Sequence, residues 1–303
     1  MSSDKTLADS LGSSDIGKFR GASSFWSMAL RRLVRNRLAL TGLAVIIIIA
    51  TMAIFAPAVT KYDPTKQNYD VISEKPSAQH WLGTDNLGRD AFSRLVFGAR
   101  TSLMVGVFTQ LIILAIALPV GSLSGYFGGR ADNLLMRVVD VVYAFPDILF
   151  IILLRSVLGG SIIMIFLAIG LVAWTNAARL IRGQILSVKA QDYVLASRAI
   201  GASDGRIVVS HILPNAVGPL IVAVTFGIPR AIFIEAALSY IGIGVRPPTP
   251  SWGTMIQDGY SVIFAAPHLV LFPAIAIALL MMSFTFLGDG IRDAMDPRLT
   301  RGR

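Results

Sequence analysis

The sequence contains no cysteine, so neither a disulfide framework nor a thiolate metal site exists. Its three histidines, His80, His211 and His268, fall in three different segments, and no metal site is expected from them. No G-x-x-x-x-G-K-[ST] pattern occurs, so the chain has no phosphate loop with which to supply an ATP site. No Ser/His/Asp or paired-carboxylate constellation is present either, so no catalytic residue is assigned and an enzyme is not expected. Asp289, Asp293 and Asp296 are grouped near the C-terminus, where a solvated or pair-forming terminus accounts for them better than a metal does. No internal repeat is found. Charge is scarce as well: Asp, Glu, Lys and Arg make up 15% of the chain, against ~25% in typical soluble domains.

Apolar residues fill the space, at 54% of the 303 residues. They concentrate in six runs, 38–55, 102–126, 134–154, 162–178, 219–242 and 269–287. Each is close to the ~20 residues a helix needs to cross a bilayer. Six spans leave no room for a separate soluble domain. Lipid offers the backbone no hydrogen-bond partner, so helices are expected. The fold class is therefore an all-α membrane bundle of six spans. Ala56-Pro57-Ala58 after the first run resembles a cleavage site. The polar region before that run is too long, and the run exceeds the ~7–15 apolar residues of a signal peptide. An uncleaved first span is expected.

The formal charge of +9 is explained by topology rather than by nucleic acid. With the N-terminus inside, the inner segments hold Lys and Arg throughout 1–37, 130–137, 179–206 and 292–303. The outer segments hold fewer: Lys61, Lys66, Lys75, Arg89, Arg94, Arg100, Arg155 and Arg246. This bias follows the positive-inside rule. It puts both termini and the stretch 193–215 in the cytoplasm.

Along the chain, 1–24 is expected to be a disordered cytoplasmic tail. Residues 25–100 comprise an amphipathic surface segment (25–37), the first span and an outer loop. Residues 101–290 form the transmembrane domain, and 291–303 a cytoplasmic tail. In the outer loop, Asp85-Asn86 between two glycines is turn chemistry, and Asp90 is expected to cap a short helix towards Arg100. Gly121, Gly125, Gly128 and Gly129 are expected to permit close helix approach. After Pro247-Pro248-Thr249-Pro250, the spacing of Trp252, Met255, Ile256 and Tyr260 predicts a short amphipathic helix on the outer surface.

Two features could carry function. The first is the polar insert 193–215. A short helix with Ala196, Ser197 and Ala199 exposed is expected there, then a turn at Gly201, which can adopt positive φ. Ser203 or Asp204 would cap a second helix through Val209 that ends or kinks at Pro214. Arg198 and Arg206 would flank a narrow ridge able to enter a partner's groove; an ordinary helix-turn-helix closing the loop is an equal reading. The second is the set of charges inside the spans, Asp140, Asp147, Arg230 and Glu235, which must avoid lipid. They are candidates for the lining of a path through the bundle. Structural ion pairs are the weightier alternative, since the depth of Asp147 and Arg230 in their spans is open.

The insert resembles the E-A-A-x-x-x-G and L-P loop of ABC importer permeases. Here it reads Leu195-Ala196-Ser197, Gly201 and Leu213-Pro214. Leu195 replaces the usual Glu, Ser197 the usual Ala, and His211 a usually aliphatic residue. Four further stretches in order resemble the C-type permease of oligopeptide and dipeptide importers. They are His80-Trp81-Leu82-Gly83-Thr84-Asp85 through Gly88-Arg89-Asp90, Gly98-Ala99-Arg100-Thr101-Ser102-Leu103, Pro247-Pro248-Thr249-Pro250-Ser251-Trp252-Gly253, and 287–298.

The resemblance implies a six-transmembrane-helix type I ABC importer permease with cytoplasmic coupling helices, in a bacterial or archaeal cytoplasmic membrane. It also implies a heterodimer with a homologous second permease, two ABC ATPase subunits and an extracytoplasmic substrate-binding protein. ATP and Mg would sit on the ATPases, with no cofactor in this chain. Leu195, Ala196, Ser197, Arg198, Gly201, Ala202, Ser203, Asp204, Leu213 and Pro214 would form the ATPase-coupling loop. Asp85, Arg89, Trp252 and Tyr260 would belong to the binding-protein platform. Relatives import dipeptides, longer peptides, glutathione or nickel complexes. Outside the resemblance, an ion-coupled secondary transporter would call for coupling-ion sites and repeats, and a membrane-embedded enzyme for a reactive cluster.

Overall fold

The computed structural model describes residues 25–295; the expected tails 1–24 and 296–303, with Asp296, lie outside them. The described residues hold helices and no strand beyond an isolated bridge between Thr84 and Asp90. In chain order the helices are α1 (Phe25–Arg35), α2 (Arg37–Ile54), α3 (Ala56–Val59), α4 (Ala91–Phe127), α5 (Gly129–Tyr143), α6 (Asp147–Leu158), α7 (Ile162–Lys189), α8 (Asp192–Ala199), α9 (Asp204–Arg206), α10 (Leu213–Tyr240), α11 (Trp252–Tyr260) and α12 (His268–Met295). Five helices are long and apolar enough to cross a membrane: α2, α4, α7, the run Asp204–Tyr240 and α12. The bent pair α5 and α6 makes a sixth where the two helices are counted as one broken span.

Three expectations are refined. The run 134–154 is sharply bent at the proline it contains. It breaks at residues 144–146, and α5 and α6 meet at 86°. Pro146 disfavours helical geometry at Phe145, and α6 restarts immediately after it. Asp90 does cap a helix, its carboxylate accepting from the Ser93 N–H at 2.7 Å. That helix is not short, however: α4 runs without interruption for 37 residues. Finally, Pro214 does not end the element after Gly201. It lies in the first turn of α10, which continues a wider π-type segment over Ile207–Ile212. A proline cannot donate to the preceding turn, and a widened turn just before it accommodates the missing donor.

The long pair α4 and α7 is the spine of the bundle. A Cβ on Gly121 would lie 2.6 Å from the Ala178 carbonyl oxygen, and one on Gly125 would lie 2.8 Å from Ile185 Cβ. Lipid supplies no hydrophobic force between spans, so such close backbone approach is what holds them. At the end that carries α8, Ile181, Ile185, Val194, Ile207 and Ile212 form one buried cluster with Tyr126. At the opposite end, Trp252, Met255, Ile232 and Leu280 join α11 to α10 and α12. The fold thus offers two working ends joined by one shared pair of helices.

Candidate functional site

At the loop-bearing end of the bundle, α8 presents its buried side through Val194 alone, which anchors it on the cluster below. The helix stops as Gly201 takes φ +87°, a region open to glycine. The Ala202 N–H then reaches back to the Ser197 carbonyl at 3.1 Å. Ala196, Ala199 and Arg198 are exposed, and Ser197 is half-buried, its hydroxyl donating to the Tyr193 carbonyl at 2.8 Å. Ser203 occupies the N-cap position of α9, but its side chain makes no capping bond. Leu213 is half-buried, and Pro214 is exposed. Leu195, in the position of the family's Glu, is half-exposed and makes an apolar outer face. The tip is Ile200, 86% exposed, a residue the sequence reading passed over; a large apolar side chain beside a predicted turn was the available signal.

Tyr126, at the end of α4, was also missed. Its hydroxyl donates to Asp204 and accepts from Arg198 at 3.1 Å, and its carbonyl accepts from Lys189. One residue therefore ties α4 and α7 to both sides of the Gly201 turn. The hydrogen bond to Tyr126 holds the Arg198 guanidinium above its usual range.

The four charges expected within the spans separate into distinct environments. Asp147, opening α6, pairs with Arg230 of α10 at 3.0 Å. Asp140 of α5 pairs with Arg179 of α7 at 2.7 Å, and the guanidinium lies over the Tyr143 ring at 4.3 Å. A third pair, Asp132 with Arg182 at 2.6 Å, joins the same two helices nearer the cytoplasmic end. Arg230 and Asn176 line both a cavity of about 170 Å³ that includes Gln110 and a larger one of about 530 Å³ that includes Asp147. Glu235 lines neither. It is 0% exposed, accepting from Ser239 at 2.6 Å and Ser102 at 3.5 Å where α4 and α10 meet. Its place in a path lining is corrected for that reason. Replacing it with glutamine should lower the yield of assembled complex. Transport per assembled complex should be unchanged, as measured by uptake normalised to complex in vesicles.

At the opposite end of the bundle, Asp85 and Arg89 are both buried. Asp85 accepts from Arg89 at 2.7 Å and is joined by Arg94 at 3.3 Å. Both arginines reach Asp258 of α11, at 2.7 and 2.9 Å. Arg89 is 4% exposed, so this network pins the outer loop and α4 to α11. Trp252 is buried too, its indole N–H donating to the Leu95 carbonyl at 2.9 Å. Asp85, Arg89 and Trp252 thus support the loop and α11 from within and offer no exposed surface of their own. Tyr260 alone of the four stays exposed, edge-on to Tyr240. Among the described residues no group of three or more His, Cys, Asp or Glu could hold a metal ion.

Comparison with known proteins agrees with this anatomy. Residues 117–301 match the family described as binding-protein-dependent transport system inner membrane component. Residues 24–76 match the N-terminal TM domain of oligopeptide transport permease C. The chain is 45% identical over 278 residues to the oligopeptide transport system permease protein OppC of Bacillus subtilis (strain 168), covering 92% of this chain and 91% of that one. It is 42% identical to the dipeptide transport system permease protein DppC of the same organism, covering 93% and 88%. It is also 42% identical to the glutathione transport system permease protein GsiD of Escherichia coli O157:H7, covering 90% and 91%. In fold it is similar to a chain of the inward-facing MetNI methionine ABC transporter. That match has a TM-score of 0.54 at 23% identity, covering 68% of this chain and 97% of that one. With matching family segments at both ends and relatives spanning nearly its whole length, the chain belongs to the multi-pass permeases of binding-protein-dependent ABC importers, in the oligopeptide and dipeptide branch.

Proposed function

We propose that this chain and a homologous second permease enclose a path for di- and oligopeptides. Two separate ATPase subunits, holding ATP and Mg, drive it, and an extracytoplasmic binding protein supplies it. The membrane is a bacterial or archaeal cytoplasmic membrane, and both termini face the cytoplasm. The observation that carries this is the charged groove on an otherwise apolar bundle. Arg230 is 57% and Asp147 35% exposed among helices that are apolar enough for lipid. Exposed charge at membrane depth is costly against lipid, so a second chain and a wet path must cover that face. The relatives' names support peptides as cargo, and the GsiD relative favours glutathione as the second reading.

The loop around Gly201 is the ATPase contact in this reading, and exposed Tyr260 belongs to the face that meets the binding protein. Mass spectrometry of what co-purifies with the tagged chain in mild detergent tests the assembly. A second permease with phosphate-loop ATPases is expected; the chain alone, under conditions that keep known complexes together, overturns it. Gly201→Val tests the loop. No atom lies within 4 Å of the added Cβ, so the cost is backbone strain of about 1–3 kcal/mol localised at the turn. The expected result is a folded complex whose ATP hydrolysis no longer responds to loaded binding protein.

A further inference from the structure

We infer that the Asp147–Arg230 pair is a binding station for a small zwitterion, which opens the pair by exchanging partners with it. The inference rests on the transport reading above and adds a site within this chain. The cavity of about 530 Å³ is lined by Asp147, Arg230, Asn176, Tyr143 and Phe145, a volume within the ~300–1,000 Å³ range of small-molecule sites. It holds one anion and one cation, 3.0 Å apart. Both are partly exposed, so a ligand reaches them without dismantling the core. A ligand ammonium takes the Asp147 carboxylate, and a ligand carboxylate takes the Arg230 guanidinium in the same exchange. Every charge keeps a partner throughout. The lining of this open groove is more polar than apolar, so a ligand can enter with its own charges. One with a single charge would leave either Asp147 or Arg230 without its counter-charge, and only a zwitterion replaces both halves of the pair. The Asn176 side chain offers an amide to the ligand, and the exposed Phe145 ring offers an apolar wall.

The exchange also has a mechanical result. Asp147 is the first residue of α6, directly after the 86° bend, and its bond to Arg230 ties α6 to α10. Occupancy by a zwitterion releases that tie, so cargo itself frees the broken span.

The absence of cysteine allows a direct test. Asn176→Cys places a single thiol of this chain in the cavity. In the assembled complex, reconstituted in vesicles without binding protein, its rate of maleimide labelling is read by mass on this chain. Dialanine at saturating concentration is expected to slow labelling about fivefold or more. N-acetyl-dialanine amide, with both charges removed, is expected to change it little. Protection should vanish with Arg230→Gln and with Asp147→Asn. It should also vanish in the double variant, which leaves no stranded charge and so guards against misfolding. Equal protection by the blocked peptide, or no protection by dialanine, overturns the site. Uptake by the same complex with its binding protein keeps the two readings apart. An importing complex without protection condemns the station alone, and a complex that imports no peptide condemns the transport reading.

Discussion

Replacing Ile200 with glutamate should abolish ATPase attachment while leaving the permease folded. Ile200 projects from the tip of the coupling loop with 86% of its surface exposed, and it leans on nothing in its own chain. The substitution therefore has little to disturb internally; exposed positions of this kind usually change stability by less than ~0.5 kcal/mol. The surrounding surface is small-sided, with Ala196 and Ala199 exposed beside Leu195. On the ATPase contact proposed above, that shape makes Ile200 the side chain to fill the partner's groove. Central apolar anchors cost about 2–4 kcal/mol when lost, and a buried unpaired carboxylate costs at least that much. Affinity for the ATPase subunits should fall about 30-fold or more, and uptake with it. Pull-down of ATPase subunits, alongside the variant's melting temperature, checks both halves. Retained attachment would move the contact away from this tip.

Arg89→Ala should be the most damaging substitution at the outer end, through folding rather than docking. Removing the guanidinium takes the nearer cation from Asp85, whose side chain is 7% exposed, and leaves it the more distant Arg94 at 3.3 Å. Breaking a buried pair by deleting one partner costs about 3–5 kcal/mol. The same deletion removes a tie between the outer loop and Asp258 of α11. Expected results are a lower melting temperature and rapid proteolysis within 60–90, seen with or without binding protein present. A variant of wild-type stability that failed only to recruit binding protein would restore Arg89 as a surface contact.

Much of this anatomy is legible in the sequence, because the strongest signals are local. Apolar runs of bilayer length mark the spans, Gly201 marks the turn, and Ser251 ahead of Trp252 starts α11 through a reciprocal Ser251–Thr254 cap. Hydropathy averages over a window, however, and so does not register a break that keeps its apolar character. Ala144-Phe145-Pro146 breaks the third span without interrupting its hydrophobicity. Nor does it show that Arg94 and Arg100 continue a helix instead of preceding one. The ion pairs are illegible for another reason. Arg89 finds Asp258 169 residues away, and Asp147 finds Arg230 83 residues away. Charge at such distances reads as surface until the fold brings it inside. Tyr126 was hidden in the same way, as one aromatic at a span end until three elements converged on it.

The continuity of α4 gives the molecule a lever. Its 37 residues at ~1.5 Å each make a rod of about 55 Å, with Tyr126 at one end and the Asp90 cap at the other. Over that reach, a tilt of about 5° at one end is a displacement of about 5 Å at the other. The rod's single internal proline is Pro119, where the missing backbone donor makes bending least costly. Gly121 and Gly125, just past it, lie against α7. A pivot there divides the rod into a short arm towards the Gly201 loop and a long arm towards the Asp90 cap. Such a lever would trade force for travel, turning a small movement of the short arm into a larger one at the far end.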